Sequence, residues 1–179
     1  TGEFSCTLFS NGEASDGHVI DVRSLDVPAT IPMFVDHVAD PVRRAGRMHS
    51  PVKFGPGRGI GDSVVKMTGR VDLEGEGREA DIRRDLFHGI AVGDVSSVSG
   101  RWRSSAPPTP RAELRESHFA HRSGAGFYFE NAVALEGSIV GLGADPSALI
   151  GRSQDETKPE HVRDFWRSWS DSGDSETAL

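Results

Sequence analysis

The 179-residue sequence holds a single cysteine, Cys6. That excludes an internal disulfide and suits a reducing compartment. Long apolar runs are missing too: no stretch approaches the roughly 18 residues that mark a membrane-spanning helix. The opening residues, Thr1-Gly2-Glu3-Phe4, lack the basic region and apolar stretch of a signal peptide. A start without Met reads as a trimmed, tagged or cleaved end. Positive charge is not in excess either. Twenty Lys+Arg stand against 27 Asp+Glu, a net charge of −7, where a nucleic-acid surface normally needs a basic patch. Neither a membrane nor a nucleic acid is therefore an expected partner.

What is present reads as an ordinary globular chain, 36% hydrophobic and 26% charged. The acid is unevenly spread: residues 153–179 carry seven acidic and three basic side chains, a net of −4. Two modules are expected, a folded domain over 1–152 and an acidic C-terminal tail over 153–179. In the tail, Thr157 and Glu160 have capping-box spacing, and Pro159 is tolerated in a first helical turn. Val162, Phe165, Trp166 and Trp169 then fall on one helical stripe that must be buried. It either docks on the chain's own domain or forms a homodimer or scaffold contact.

Within the domain, Phe4, Cys6 and Leu8 alternate as one face of a strand. A short run follows at Val19-Ile20-Asp21-Val22. Residues 31–38 are the next apolar segment, and Pro32 makes it an edge strand or one that becomes extended only after that residue. Residues 63–73 read as a strand. Residues 78–90 read as a helix burying Ile82, Leu86 and Ile90, with Gly93 as its stop. Strands are expected over 95–103 and 127–141, separated by a proline-rich loop at 104–110. Several short strands around one or two helices predict an α+β domain, a small closed or nearly closed β-barrel.

Serine becomes a nucleophile when an imidazole lies within hydrogen-bond reach and a third group orients that ring. Of seven histidines, His118 and His121 are three apart, but neither HExxH nor cysteine ligands accompany them, so no metal or other cofactor is expected. His37 ends the apolar run Met33-Phe34-Val35-Asp36, where a strand leaves the core. The serine cluster is Val95-Ser96-Ser97-Val98-Ser99-Gly100, in which Ser97 and Ser99 share a strand face and Ser96 points away. Gly55-Pro56-Gly57-Arg58-Gly59-Ile60-Gly61 lacks the Gly-Lys-Ser/Thr of a phosphate loop, and no Gly-x-Ser-x-Gly elbow occurs. Cys6 reads as a buried or half-buried thiol.

Taken in order, three segments resemble the tailed-phage prohead (capsid-maturation) serine proteases. The first is Phe34-Val35-Asp36-His37 with Pro41-Val42-Arg43 and Gly46-Arg47. The second is the helix leading into Ser97-Val98-Ser99. The third, and most specific, runs from Leu135-Glu136-Gly137-Ser138-Ile139-Val140 to Ala144-Asp145-Pro146-Ser147-Ala148. The resemblance implies a herpesvirus-assemblin-like fold, a β-barrel wrapped by helices. It also implies a Ser-His pair, His37 as general base and Ser97 as nucleophile, completed by a third polar residue. Glu136 is the candidate behind the imidazole, and Asp36, whose strand position points it to the opposite face, the weaker alternative. The implied substrates are scaffold segments, the major capsid protein and the protease itself, cleaved in the host cytoplasm inside the assembling prohead. Two departures, Ser96 where an aliphatic residue is usual and Ser99 where glycine is, leave the nucleophile open among Ser96, Ser97 and Ser99. Gly137 also stands at a commonly aliphatic position. A catalytically inactive protease-like module that binds capsid subunits is the rival reading. The oxyanion donors are left open among backbone N–H groups near Gly100, Gly141 and Gly143.

Overall fold

The computed structural model describes residues 2–40, 44–55, 63–141, 143 and 148–151. The helix expected around 157–169, the 153–179 module, residues 56–61 of the glycine loop and residues 144–147 of the third motif lie outside them.

Seven strands form the main sheet: β1 (Glu3–Ser10), β3 (Thr30–Val35), β4 (Arg44–Phe54), β5 (Val64–Val71), β6 (Ser97–Ser104), β9 (Ala132–Val140) and β10 (Ile150–Gly151). Their order is β10-β1-β5-β4-β3-β9-β6. The helix α1 (Arg78–Val92) connects β5 to β6. A second sheet of three short strands, ordered β2-β8-β7, holds β2 (Val19–Ile20), β7 (Thr109–Pro110) and β8 (Phe127–Phe129).

The period-two pattern builds the core. Cys6, Leu8, Ile31, Met33, Met48, Val65, Met67, Val98 and Ile139 are all buried in one cluster on the concave face of the main sheet. The sheet curls round them but does not fully close, and α1 is the one α-helix among the described residues. The expected α+β class holds, and in place of a closed barrel the sheet is a half-barrel with one α-helix among the described residues. Residues 148–150 stitch β1 to β6 over one short stretch. Leu149 O accepts from Thr7 N–H of β1 at 2.8 Å, while Val98 N–H of β6 donates to Ala148 O at 3.0 Å.

Three local expectations need correction. Pro32 sits inside an internal strand, because pairing of β3 with β9 begins at Met33, just past the residue without an N–H. The strand expected over 127–141 is two strands, broken where Asn131 takes a φ of 52°. On α1, Ile90 is buried while Ile82 is 51% exposed. At about 100° per residue, eight residues leave a difference of about 80° between the two directions, so one stripe does not bury both. Gly93 does end the helix, in the left-handed conformation with its N–H on Gly89 O.

The small sheet has its own cluster of Val19, Ala120 and Tyr128. Its clasp is Arg111, which is fully buried. The guanidinium donates to Ala120 O and Gly17 O, each at 2.7 Å, and pairs with Glu13 at 2.9 Å. No described helix is long and apolar enough to cross a membrane.

Candidate active site

His37 does not leave the sheet on a strand. β3 ends at Val35, and Asp36 and His37 then take φ values of 51° and 56°. Val38 N–H closes the turn on Val35 O at 3.1 Å. Two left-handed residues inside a hydrogen-bonded four-residue turn make a type I′ β-turn. Neither is glycine, so the conformation carries backbone strain of the kind that surrounding structure must hold in place. The hold comes from Asp36 N–H, which donates to Ile139 O of β9 at 3.0 Å. The turn folds the imidazole back over the sheet.

There it meets Glu136. His37 Nδ1 lies 2.9 Å from Glu136 Oε1 across 99 residues of sequence. An ionised carboxylate only accepts, so this bond puts the ring proton on Nδ1 and leaves Nε2 with its lone pair. Among the described residues Nε2 has no partner. The ring is 30% exposed, whereas the Glu136 side chain is 5% exposed. A buried carboxylate needs further partners. Ser138 Oγ donates to the same oxygen at 3.4 Å, and Arg101 Nη1 approaches Oε2 at 4.0 Å. Ser138 and Arg101 were not assigned roles from sequence. For Ser138 the available signal was its i+2 position on the Glu136 strand; for Arg101 nothing short of the β6–β9 register would have found it.

That register also locates the serines. β6 runs antiparallel to β9 with Ser97 opposite Val140, Ser99 opposite Ser138 and Arg101 opposite Glu136. Ser97, Ser99, Glu136 and Ser138 therefore share the convex face of the sheet, the face over which His37 folds. Ser96 lies just ahead of β6, where its carbonyl accepts Ile150 N–H at 2.9 Å. Among the described residues no hydrogen bond joins the His37 ring to the hydroxyl of Ser97 or Ser99. Ser97 is 5% exposed.

The glycines nearby answer to packing. A Cβ on Gly137 would stand 2.3 Å from Met48 Sδ, and one on Gly100 would stand 2.2 Å from the Phe9 ring. Both point into the core, which explains why an aliphatic residue is excluded at 137. Gly141 has open space in the same direction. Cys6 is buried beneath the sheet, its Sγ 3.6 Å from Met67 O. Burial pushes its thiol up to about 12, which keeps it protonated and chemically inert at neutral pH.

A groove of about 540 Å³ opens beside Val35, two residues before His37. Its walls are Val35 and Ala45 on the sheet side and Ile82 and Leu86 on α1, and its charged lining is Arg44, Arg78, Glu79 and Arg83. No family model, curated protein or solved structure matches this chain.

Proposed function

We propose that the chain is a serine endopeptidase of the prohead-maturation kind. In this reading it cleaves scaffold and major capsid protein segments, and itself, inside the assembling prohead. The observation that carries it is the 2.9 Å hydrogen bond from His37 Nδ1 to Glu136 Oε1. A histidine oriented by a buried carboxylate, with a free Nε2 at a partly exposed position, is the base half of a Ser-His-acid site.

The hydrolysis follows from those roles. His37 Nε2 takes the proton of Ser97 Oγ as that oxygen attacks the scissile carbonyl, and the imidazolium then protonates the leaving amine. Water repeats the cycle and releases the acid. Glu136 holds the ring and stabilises its charge without taking the proton. Ser97 is the first choice of nucleophile, from its match to the serine motif, and Ser99 the second, from its shared face with Glu136. The groove beside Val35 supplies an apolar wall for an extended substrate.

One observation favours a second reading, a non-catalytic capsid-binding module. Ser97 is almost wholly covered and makes no hydrogen bond to His37. Intact mass spectrometry after co-expression with the capsid protein separates the two. Under the protease reading, wild type trims its partner or itself, and His37→Ala and Ser97→Ala do not. Cleavage by Ser97→Ala but not by Ser99→Ala reassigns the nucleophile. A wild-type chain that trims nothing supports the module.

A further inference from the structure

The convex face carries a second charged feature away from the His37–Glu136 pair. On adjacent strands Arg47 of β4 stands directly opposite Arg70 of β5. Like charges directly opposite each other destabilise a sheet. Both are exposed, and among the described residues neither guanidinium has a hydrogen bond or an ion pair. Arg70's other neighbour in the row, Glu3, instead approaches His49 at 3.9 Å. Arg44, Arg47 and Arg70 line a cleft of about 280 Å³, together with Asp72 and Glu74. Neither of those carboxylates pairs with an arginine of the cleft. Arg44, whose Nε donates to Gly46 O at 3.2 Å, also lines the groove beside Val35. Arg78, which lines that groove beside Glu79, has no ion pair among the described residues. A chain of net charge −7 thus gathers Arg44, Arg47 and Arg70 along one path through the cleft.

We propose that this arginine path holds an acidic segment of an extended polypeptide bound in trans. Guanidinium groups recognise carboxylates through paired, charge-assisted hydrogen bonds, and the local field reverses the overall negative charge of the chain. Register sets the spacing. β3 alone lies between β4 and β9, so Arg47 stands two strands from Glu136, about 10 Å, and Arg70 about 14 Å. An extended chain covers that in about three to four residues. Ser97 lies one strand beyond β9 and opposite Val140, four residues along from Glu136. Resting on the protease reading, the substrate therefore carries Asp or Glu about six to seven residues from the bond that is cut. The binding surface itself does not depend on hydrolysis.

The test measures binding, on the full chain, by fluorescence anisotropy at low salt. One labelled peptide carries glutamates at alternate positions and the other glutamines in their place, and mass spectrometry confirms that both stay intact. The glutamate peptide binds roughly five- to tenfold more tightly, and added salt erodes the difference. The double variant Arg47→Gln/Arg70→Gln loses the preference with an unchanged circular dichroism spectrum and melting temperature, while Arg115→Gln retains it. Equal binding of both peptides by wild type, no binding of either, or a preference surviving in the folded double variant overturns the proposal. Selective binding without hydrolysis of any protein counts against the protease reading and leaves the arginine path standing. Hydrolysis without selective binding does the reverse.

Discussion

His37 Nδ1 and Glu136 Oε1 meet at 2.9 Å although one lies on a turn after β3 and the other mid-way along β9. Parallel pairing of β3 with β9, Met33 with Gly137 and Phe34 with Ser138, brings the two segments side by side. The type I′ turn then reverses the chain so that the ring reaches back to Glu136. If this bond fixes the tautomer, Glu136→Gln keeps the fold and lowers kcat on the order of 10³- to 10⁴-fold, since the amide also stabilises the wrong tautomer. Proton NMR checks the cause independently: a downfield His37 Nδ1–H resonance in wild type disappears in the variant. Unchanged turnover with a lost resonance removes Glu136 from the mechanism.

Under the proposed protease reading, Ser138 acts on His37 only through Glu136, as a positioning residue. Its hydroxyl donates to the oxygen that already receives the His37 Nδ1–H bond. Hydrogen bonds to charged groups contribute about 1.5–3 kcal/mol. Ser138→Ala is therefore expected to lower kcat by about tenfold or more, leave KM near its wild-type value and displace the limb of the pH–rate profile that reports His37. Ser138→Thr, which keeps the hydroxyl, restores most of the rate. A loss of stability with no change in the pH profile assigns Ser138 a packing role alone.

Cys6 predicts the alkaline behaviour of the fold. Burial pushes its thiol from 9.0 to about 12, so the native state keeps a proton that the unfolded chain releases. Tyr128 is displaced upward in the same sense, first by burial and then by the Asp21 and Glu130 charges. In both cases the unfolded state binds fewer protons at high pH, so stability falls as pH rises. For Cys6 the fall begins near pH 9 and is complete near pH 12, with a slope of up to about 1.4 kcal/mol per pH unit. Urea melts across that range check it, and Cys6→Ala flattens the slope. At neutral pH a thiol reagent labels the chain only after unfolding.

Two glycine substitutions are expected to differ in cost. A Cβ on Gly46 would stand 2.0 Å from the backbone carbonyl of Arg70, which cannot give way without breaking the β4–β5 ladder. On Gly137 it would meet the end of the Met48 side chain, which is flexible. Gly46→Ala is expected to cost about 3 kcal/mol or more and Gly137→Ala about 1–3 kcal/mol. Chemical denaturation gives the order, and a larger loss at Gly137 contradicts the packing described for Met48.

Local pattern was enough to find most of the strands, the helix and its glycine stop. Alternation and periodicity report which side of an element is apolar, and burial of Cys6, Leu8 and Ile90 follows from that alone. His37, Ser97 and Glu136 were likewise singled out from sequence, by resemblance and order along the chain. Sequence did not reveal that Asp36 and His37 form a turn, because left-handed φ values at two non-glycine residues are imposed by contacts with β9. It also hid the roles of Ser138 and Arg101 and the Arg47–Arg70 pairing, which exist only in the register between strands.

The division follows from range. Side-chain period is a property of neighbours along the chain, so the sequence by itself determined the elements, the core face and a short roster of candidate residues. Which residues meet is a property of strand order and register, set by the packing of the whole apolar set at once. Tertiary structure alone decided that a turn histidine and a carboxylate 99 residues away share one hydrogen bond, and that the sheet stays an open half-barrel.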